Sequence, residues 1–143
     1  MSSVQAFIVQ ANLRRAMLAL ACAVGAVGAQ AQSAMPQWKG EGAVRYVCGG
    51  IGSDESNAMR AAMKEHPLAL LFARSDGAYL ADVQVDIKGS GGAPSLALRA
   101  SGPVCLVDLP AGRYTVDVAT AGGSVQSQSV TVGGSPKTAS FRF

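Results

Sequence analysis

The sequence predicts a mainly β protein, a sandwich of seven or eight antiparallel strands with one short α-helix. Three observations predict it. Apolar residues recur with a period of two in about eight short runs, separated by turn residues at the spacing of sandwich proteins. Only one stretch, over about 53–65, has helical spacing. Two cysteines, Cys48 and Cys105, fall in phase with the inward residues of their own strands.

The chain opens on a different kind of segment. No Asp or Glu precedes Glu41, and Arg14 and Arg15 are followed by fourteen uncharged residues, "AMLALACAVGAVGA". Ala29 and Ala31 then stand at the spacing a signal peptidase reads. Basic, apolar and cleavage regions in that order predict a cleaved secretory signal over 1–31, with the mature chain starting at Gln32. The apolar stretch is short of the roughly 20 residues that cross a bilayer, so no membrane span is expected after cleavage. The expected location is the periplasm.

Removing the segment changes the electrostatics. Twelve Lys and Arg stand against nine Asp and Glu in the whole chain. Loss of Arg14 and Arg15 brings the remainder close to neutrality, and no basic run is left. Nucleic acid binding therefore has no electrostatic footprint. Cys22 also leaves, and the remaining even pair in an oxidising compartment predicts a Cys48–Cys105 disulfide. Two buried free thiols are the alternative.

Residues 32–42 are polar and read as a loose lead-in, and 43–143 as one domain. "AVRYVC" (43–48) alternates, with Val44, Tyr46 and Cys48 on one face. "GGIG" follows, and Ser53 is the expected helix N-cap. Asp54 and Glu55 suit the first turn, Lys64 and His66 the last. Ala58, Met59, Ala62 and Met63 form the apolar stripe, and Pro67 stops the winding. "LALLFA" (68–73) is apolar on both faces, as in a strand covered on both sides. "YLADVQVDIK" (79–88) is expected to point Ala81, Val83, Val85 and Ile87 inward. "SLALRA", "VCLVDL", "RYTVDVA", "SVQSQSVTV" and "KTASFRF" supply the remaining strands. In "DLPAGRYTVDV" (108–118) the pattern reads as a hairpin. Pro110 sets the first corner, Gly112 takes a positive φ, and Tyr114 resumes the inward face.

At this run the sequence resembles the carboxypeptidase regulatory-like, or transthyretin-like, domains. The order "YLADVQVDIKGSGG…LALRASGPVCLVDLPAG" matches theirs: strand, Gly-rich loop, strand, Gly-Pro turn, strand. The resemblance covers roughly 68–143. The preceding "YVCGGIGSDESNAMRAAMKEHPLALLF" is similar to small exported proteobacterial proteins that carry this domain. The resemblance implies an Ig-like, prealbumin-like sandwich and an accessory or binding role, and it implies no peptidase activity.

The chemistry-bearing residues are few. His66 is the only histidine, and no G-x-S-x-G elbow accompanies it, so no catalytic residue is assigned and the protein is not expected to be an enzyme. No metal ligand set and no cofactor motif is present. "CGGIGS" between strand and helix invites an anion, but Asp54 and Glu55 would repel one, and a tight connection is expected instead. The terminal "ASFRF" alternates as barrel strands do, yet the strands are mostly shorter than the 9–11 residues a barrel needs. Tyr46, Phe72 and Tyr114 fall on inward phases. Of the aromatics that remain, Trp38 and Tyr79 are the candidate ligand-binding ones for a small molecule or glycan. The first expectation for a partner is a protein of the cell envelope.

Overall fold

The computed structural model describes Met35–Phe143. The signal segment 1–31 and the mature start at Gln32 lie outside the described residues. Nine strands and one helix follow in order: β1 (Lys39–Glu41), β2 (Val44–Gly49), α1 (Ser53–Ala62), β3 (Leu68–Ala73), β4 (Val83–Gly89), β5 (Leu96–Ala100), β6 (Val104–Asp108), β7 (Gly112–Ala119), β8 (Val125–Val132) and β9 (Lys137–Arg142). They form a β-sandwich of two sheets, ordered β1-β2-β6-β3-β9 and β5-β4-β7-β8. Every pairing is antiparallel except β3 with β9. The lead-in is partly ordered, because Lys39–Glu41 pairs with β2.

The alternation in each strand explains the layers. Leu68, Leu70, Phe72, Cys105, Val107 and Phe141 of the five-stranded sheet meet Val83, Val85, Ile87, Tyr114, Val116 and Val118 of the four-stranded sheet in the main core. The intervening residues Val47, Ala69, Val104 and Leu106 form a second core with Met59 of α1. The helix therefore covers the outer face of the five-stranded sheet. This is why "LALLFA" has no polar side. Met59 is fully enclosed, and burial of a side chain of that size contributes about 1.5–3 kcal/mol.

Cys48 and Cys105 are register partners on β2 and β6 and are joined by a disulfide. The bridge lies within one sheet, not between the two. At the opposite lateral side, the inward Gln126 and Gln128 of β8 reach across to β9. Gln128 Nε2 donates to the Ser140 carbonyl at 2.7 Å, and Gln126 Nε2 donates to the Arg142 carbonyl.

Several expectations need correction. The helix ends at Ala62, not near 65. Beyond it the chain tightens into turns, with the Glu65 N–H on the Ala62 carbonyl, and His66, the residue before Pro67, is the one the proline ring disfavours in the α region. Gly52, with φ 86°, takes the N-cap position in place of Ser53, and no side chain caps the helix there. The fourth strand starts at Val83, not Tyr79. Asp82 adopts φ 58°, a left-handed conformation that Asp tolerates better than most residues. It breaks the alternation, so Leu80 packs on the core and Ala81 is exposed.

"DLPAGRYTVDV" is not a hairpin. Strand β6 belongs to one sheet and β7 to the other, so Pro110 and Ala111 carry the chain across the end of the sandwich. The Tyr114 hydroxyl donates to the Pro110 carbonyl at 2.7 Å. This is the tyrosine-corner arrangement of Greek-key sandwiches. Gly112 is not among the residues with positive φ. A Cβ built there would stand 3.5 Å from Ala93 Cβ and 3.6 Å from Tyr114 Cε2, which is ordinary contact. Gly112→Ala is accordingly expected to leave thermal stability unchanged or to raise it by up to about 1 kcal/mol, through the smaller entropy of the unfolded chain. A clear fall in melting temperature would show that the corner requires glycine.

Candidate functional site

Three places combine polar chemistry with position. The first is the glycine loop between β2 and α1. Gly50, with φ 98°, turns its N–H toward the helix, and the occupant is internal: Glu55 Oε1 accepts that bond at 2.8 Å. The loop is closely filled, since a Cβ on Gly49 would lie 2.3 Å from the same oxygen. An acidic side chain of the first turn thus holds the position an external anion would take. Gly50 is buried. Glu55→Ala is therefore expected to cost about 1–3 kcal/mol by leaving a buried N–H unpaired. Glu55→Gln, which keeps an acceptor, should recover most of the loss in a thermal unfolding comparison.

The second place gathers the lone histidine and the lone tryptophan. His66 lies beyond the helix end and not in its last turn. His66 Nδ1 is 2.7 Å from Asp108 Oδ1, and Arg45 Nη2 donates to Asp108 Oδ2 at 3.0 Å. The Trp38 ring is tilted against His66 with centroids 4.7 Å apart, and the Arg45 guanidinium lies 5.3 Å from the Trp38 centroid. Trp38 is half-buried and packs against the second core. A carboxylate on Nδ1 is how a catalytic histidine is oriented, but a nucleophile must then meet the other ring nitrogen. Among the described residues no Ser, Thr or Cys side chain is bonded to His66. The four side chains tie the lead-in, β2, β6 and the start of β3 together.

The third place is a cleft of about 220 Å³ whose lining includes Arg60, Leu71, Phe72, Tyr79, Pro103 and Arg142. Tyr79 follows the Asp76–Gly77 turn, and its only ladder contact is a single bridge to Ala73. The residue is therefore left 62% exposed. Arg60 comes from the last turn of α1. Its Nε donates to Ser56 Oγ at 3.3 Å, its Nη2 donates to the Tyr79 hydroxyl, and its Cζ lies 5.2 Å from the Tyr79 centroid. Arg142 contributes from β9, and its guanidinium has no hydrogen-bond or ion-pair partner among the described residues. The two aromatics named from the sequence thus occupy different surroundings, Trp38 beside His66 and Tyr79 in the cleft. The sequence does not point to Arg60 or Arg142. Arg60 lies on the polar side of the helix pattern and Arg142 is one residue of an ordinary alternation, so nothing local marks either.

Among the described residues, no three His, Cys, Asp or Glu side chains gather as a metal site would need. No helix among them is long and apolar enough to cross a membrane. No protein-family model matches the chain, and no curated protein matches it.

Proposed function

We propose that the protein is an exported, non-enzymatic accessory module of the periplasm, of the carboxypeptidase regulatory-like kind, that works by binding. The observation behind this reading is the division of the polar residues. The one histidine is bonded to Asp108 in a tie between elements, while the groups that open on a cleft, Arg60, Tyr79 and Arg142, are recognition groups. The Arg14–Ala31 pattern supports export, and a disulfide suits an oxidising compartment.

The test has two arms. Intact mass of protein recovered from the periplasm should begin at Gln32 and be two hydrogens lighter than the reduced chain. A start at Met1 would remove the export reading. Cross-linking of the tagged protein in the cell envelope should then capture one reproducible protein, absent from an untagged control. A second reading, a small-ligand or glycan-binding module, is favoured by the exposure of Tyr79 beneath Arg60. It takes precedence if nothing is captured above control. Loss of function in a folded His66→Ala protein would instead revive hydrolytic chemistry.

A further inference from the structure

We infer that the Arg60–Tyr79–Arg142 cleft binds a small organic carboxylate. This deepens the ligand-binding reading above and rests on it, but depends neither on export nor on a protein partner.

The charge balance of the cleft points to an anion. Two arginines line it, and no Asp or Glu does. Five of the nine acids are already engaged elsewhere in the fold. Asp108 holds Arg45 and His66, and Glu55 holds the Gly50 N–H. Asp117 is bonded by Ser127 and Lys88, Asp82 faces Arg99 at 3.6 Å, and Asp76 accepts from the Ala78 N–H. The Arg142 guanidinium has no partner among the described residues.

Arg60 is held ready. Its two bonds, to Ser56 and Tyr79, fix the guanidinium plane and leave three N–H donors for a ligand. A planar fork of this kind matches a carboxylate in a bidentate pair. Because the side chain is already ordered, little further entropy is lost on binding.

Size and floor decide which anion. About 220 Å³ is below the roughly 300–1,000 Å³ typical of sites for drug-sized ligands, so an oligosaccharide does not fit inside. The apolar part of the floor is the half-buried Leu71, with the exposed Tyr79 beside it; Phe72 and Pro103 also line the cleft but are themselves buried. An inorganic anion would leave that floor unused, whereas a short hydrocarbon attached to a carboxylate covers it.

The test uses the folded, disulfide-bonded protein and three probes: butyrate, its neutral amide butyramide, and inorganic phosphate. Butyrate should shift the backbone amide signals of Gly77, Tyr79 and Arg142 saturably in two-dimensional NMR, and butyramide should not. Arg142→Gln should weaken butyrate binding about tenfold or more. Arg60→Gln should do the same, while Arg99→Gln, outside the cleft and paired with Asp82, should leave it unchanged. The Arg142 guanidinium bonds nothing among the described residues, so its variant remains informative if Arg60→Gln disturbs the helix. An equal response to butyramide, an unchanged affinity in Arg142→Gln, or no saturable shift would overturn the proposal. Phosphate binding as tightly as butyrate would overturn its organic part. None of these failures alters the mass or cross-linking result, and a failed cross-link leaves the titration intact.

Discussion

Replacing Cys48 and Cys105 together by alanine is expected to lower the unfolding free energy by about 4 kcal/mol. The bridge joins residues 57 apart in sequence, and the loop-entropy treatment assigns a closure of that length a loss of this size. Packing adds to it. Both sulfurs belong to the main core, and Cys105 is fully buried. A domain of this size has ~5–15 kcal/mol in total, so the loss is a large fraction of its stability. Urea titration of the oxidised parent, the reduced parent and the double variant checks the expectation. The reduced parent should fall with the variant, and single Cys→Ala proteins should lose nearly as much. A loss under about 1 kcal/mol would mean that the denatured chain already keeps these two strands close without the bond.

Tyr114→Ala is expected to cost about 3–5 kcal/mol, as large aromatic truncations in cores do. The ring is fully buried among residues of both sheets, and its hydroxyl bonds the Pro110 carbonyl at the crossing between them. Tyr114→Phe separates the two contributions. It keeps the ring and should cost about 0.5–1.5 kcal/mol for the lost hydrogen bond. The same residue predicts an alkaline weakness. Burial pushes the Tyr114 hydroxyl above its ordinary value, so the folded state favours the neutral phenol. That contribution is complete below the unfolded value of about 10 and is lost as pH rises through the folded one. The parent should therefore lose more stability than Tyr114→Phe on going to high pH. Identical unfolding curves for the two proteins at neutral and alkaline pH would show that the corner bond contributes nothing.

Much of the fold is legible in the sequence because it depends on local periodicity. The short alternating runs, the single helix and the two-sided "LALLFA" each reflect burial patterns that the chain records residue by residue. The disulfide also sets a register. With Cys48 opposite Cys105 on antiparallel strands, counting outward places Arg45 opposite Asp108, a pair the structure bonds at 3.0 Å. What stays hidden is what depends on distance in space. A strand–turn–strand pattern does not distinguish a hairpin from a crossing between sheets, and the Pro110–Ala111 corner is the crossing. One left-handed residue, Asp82, reverses the phase of the run before Val83, and alternation alone cannot foresee it. The parallel pairing of β3 with β9 has no local signal. Tyr79 shares the inward parity of Val83 and Val85, and its exposure follows from the same reversal at Asp82. Its partners Arg60 and Arg142 are brought to it by the helix and by the last strand, through contacts no short window contains.

The two glutamine side chains of β8 also bear on how copies of this protein can meet. A sandwich invites polymer growth wherever an outer strand offers free backbone groups to an incoming chain. On the flank of β9, two of those groups are already taken, because Gln126 and Gln128 occupy the Arg142 and Ser140 carbonyls. An incoming strand would have to displace both amides before it gained a bond. The opposite flank, where the short β1 and β5 lie, has no such guard among the bonds described, so strand exchange or fibril extension would start there.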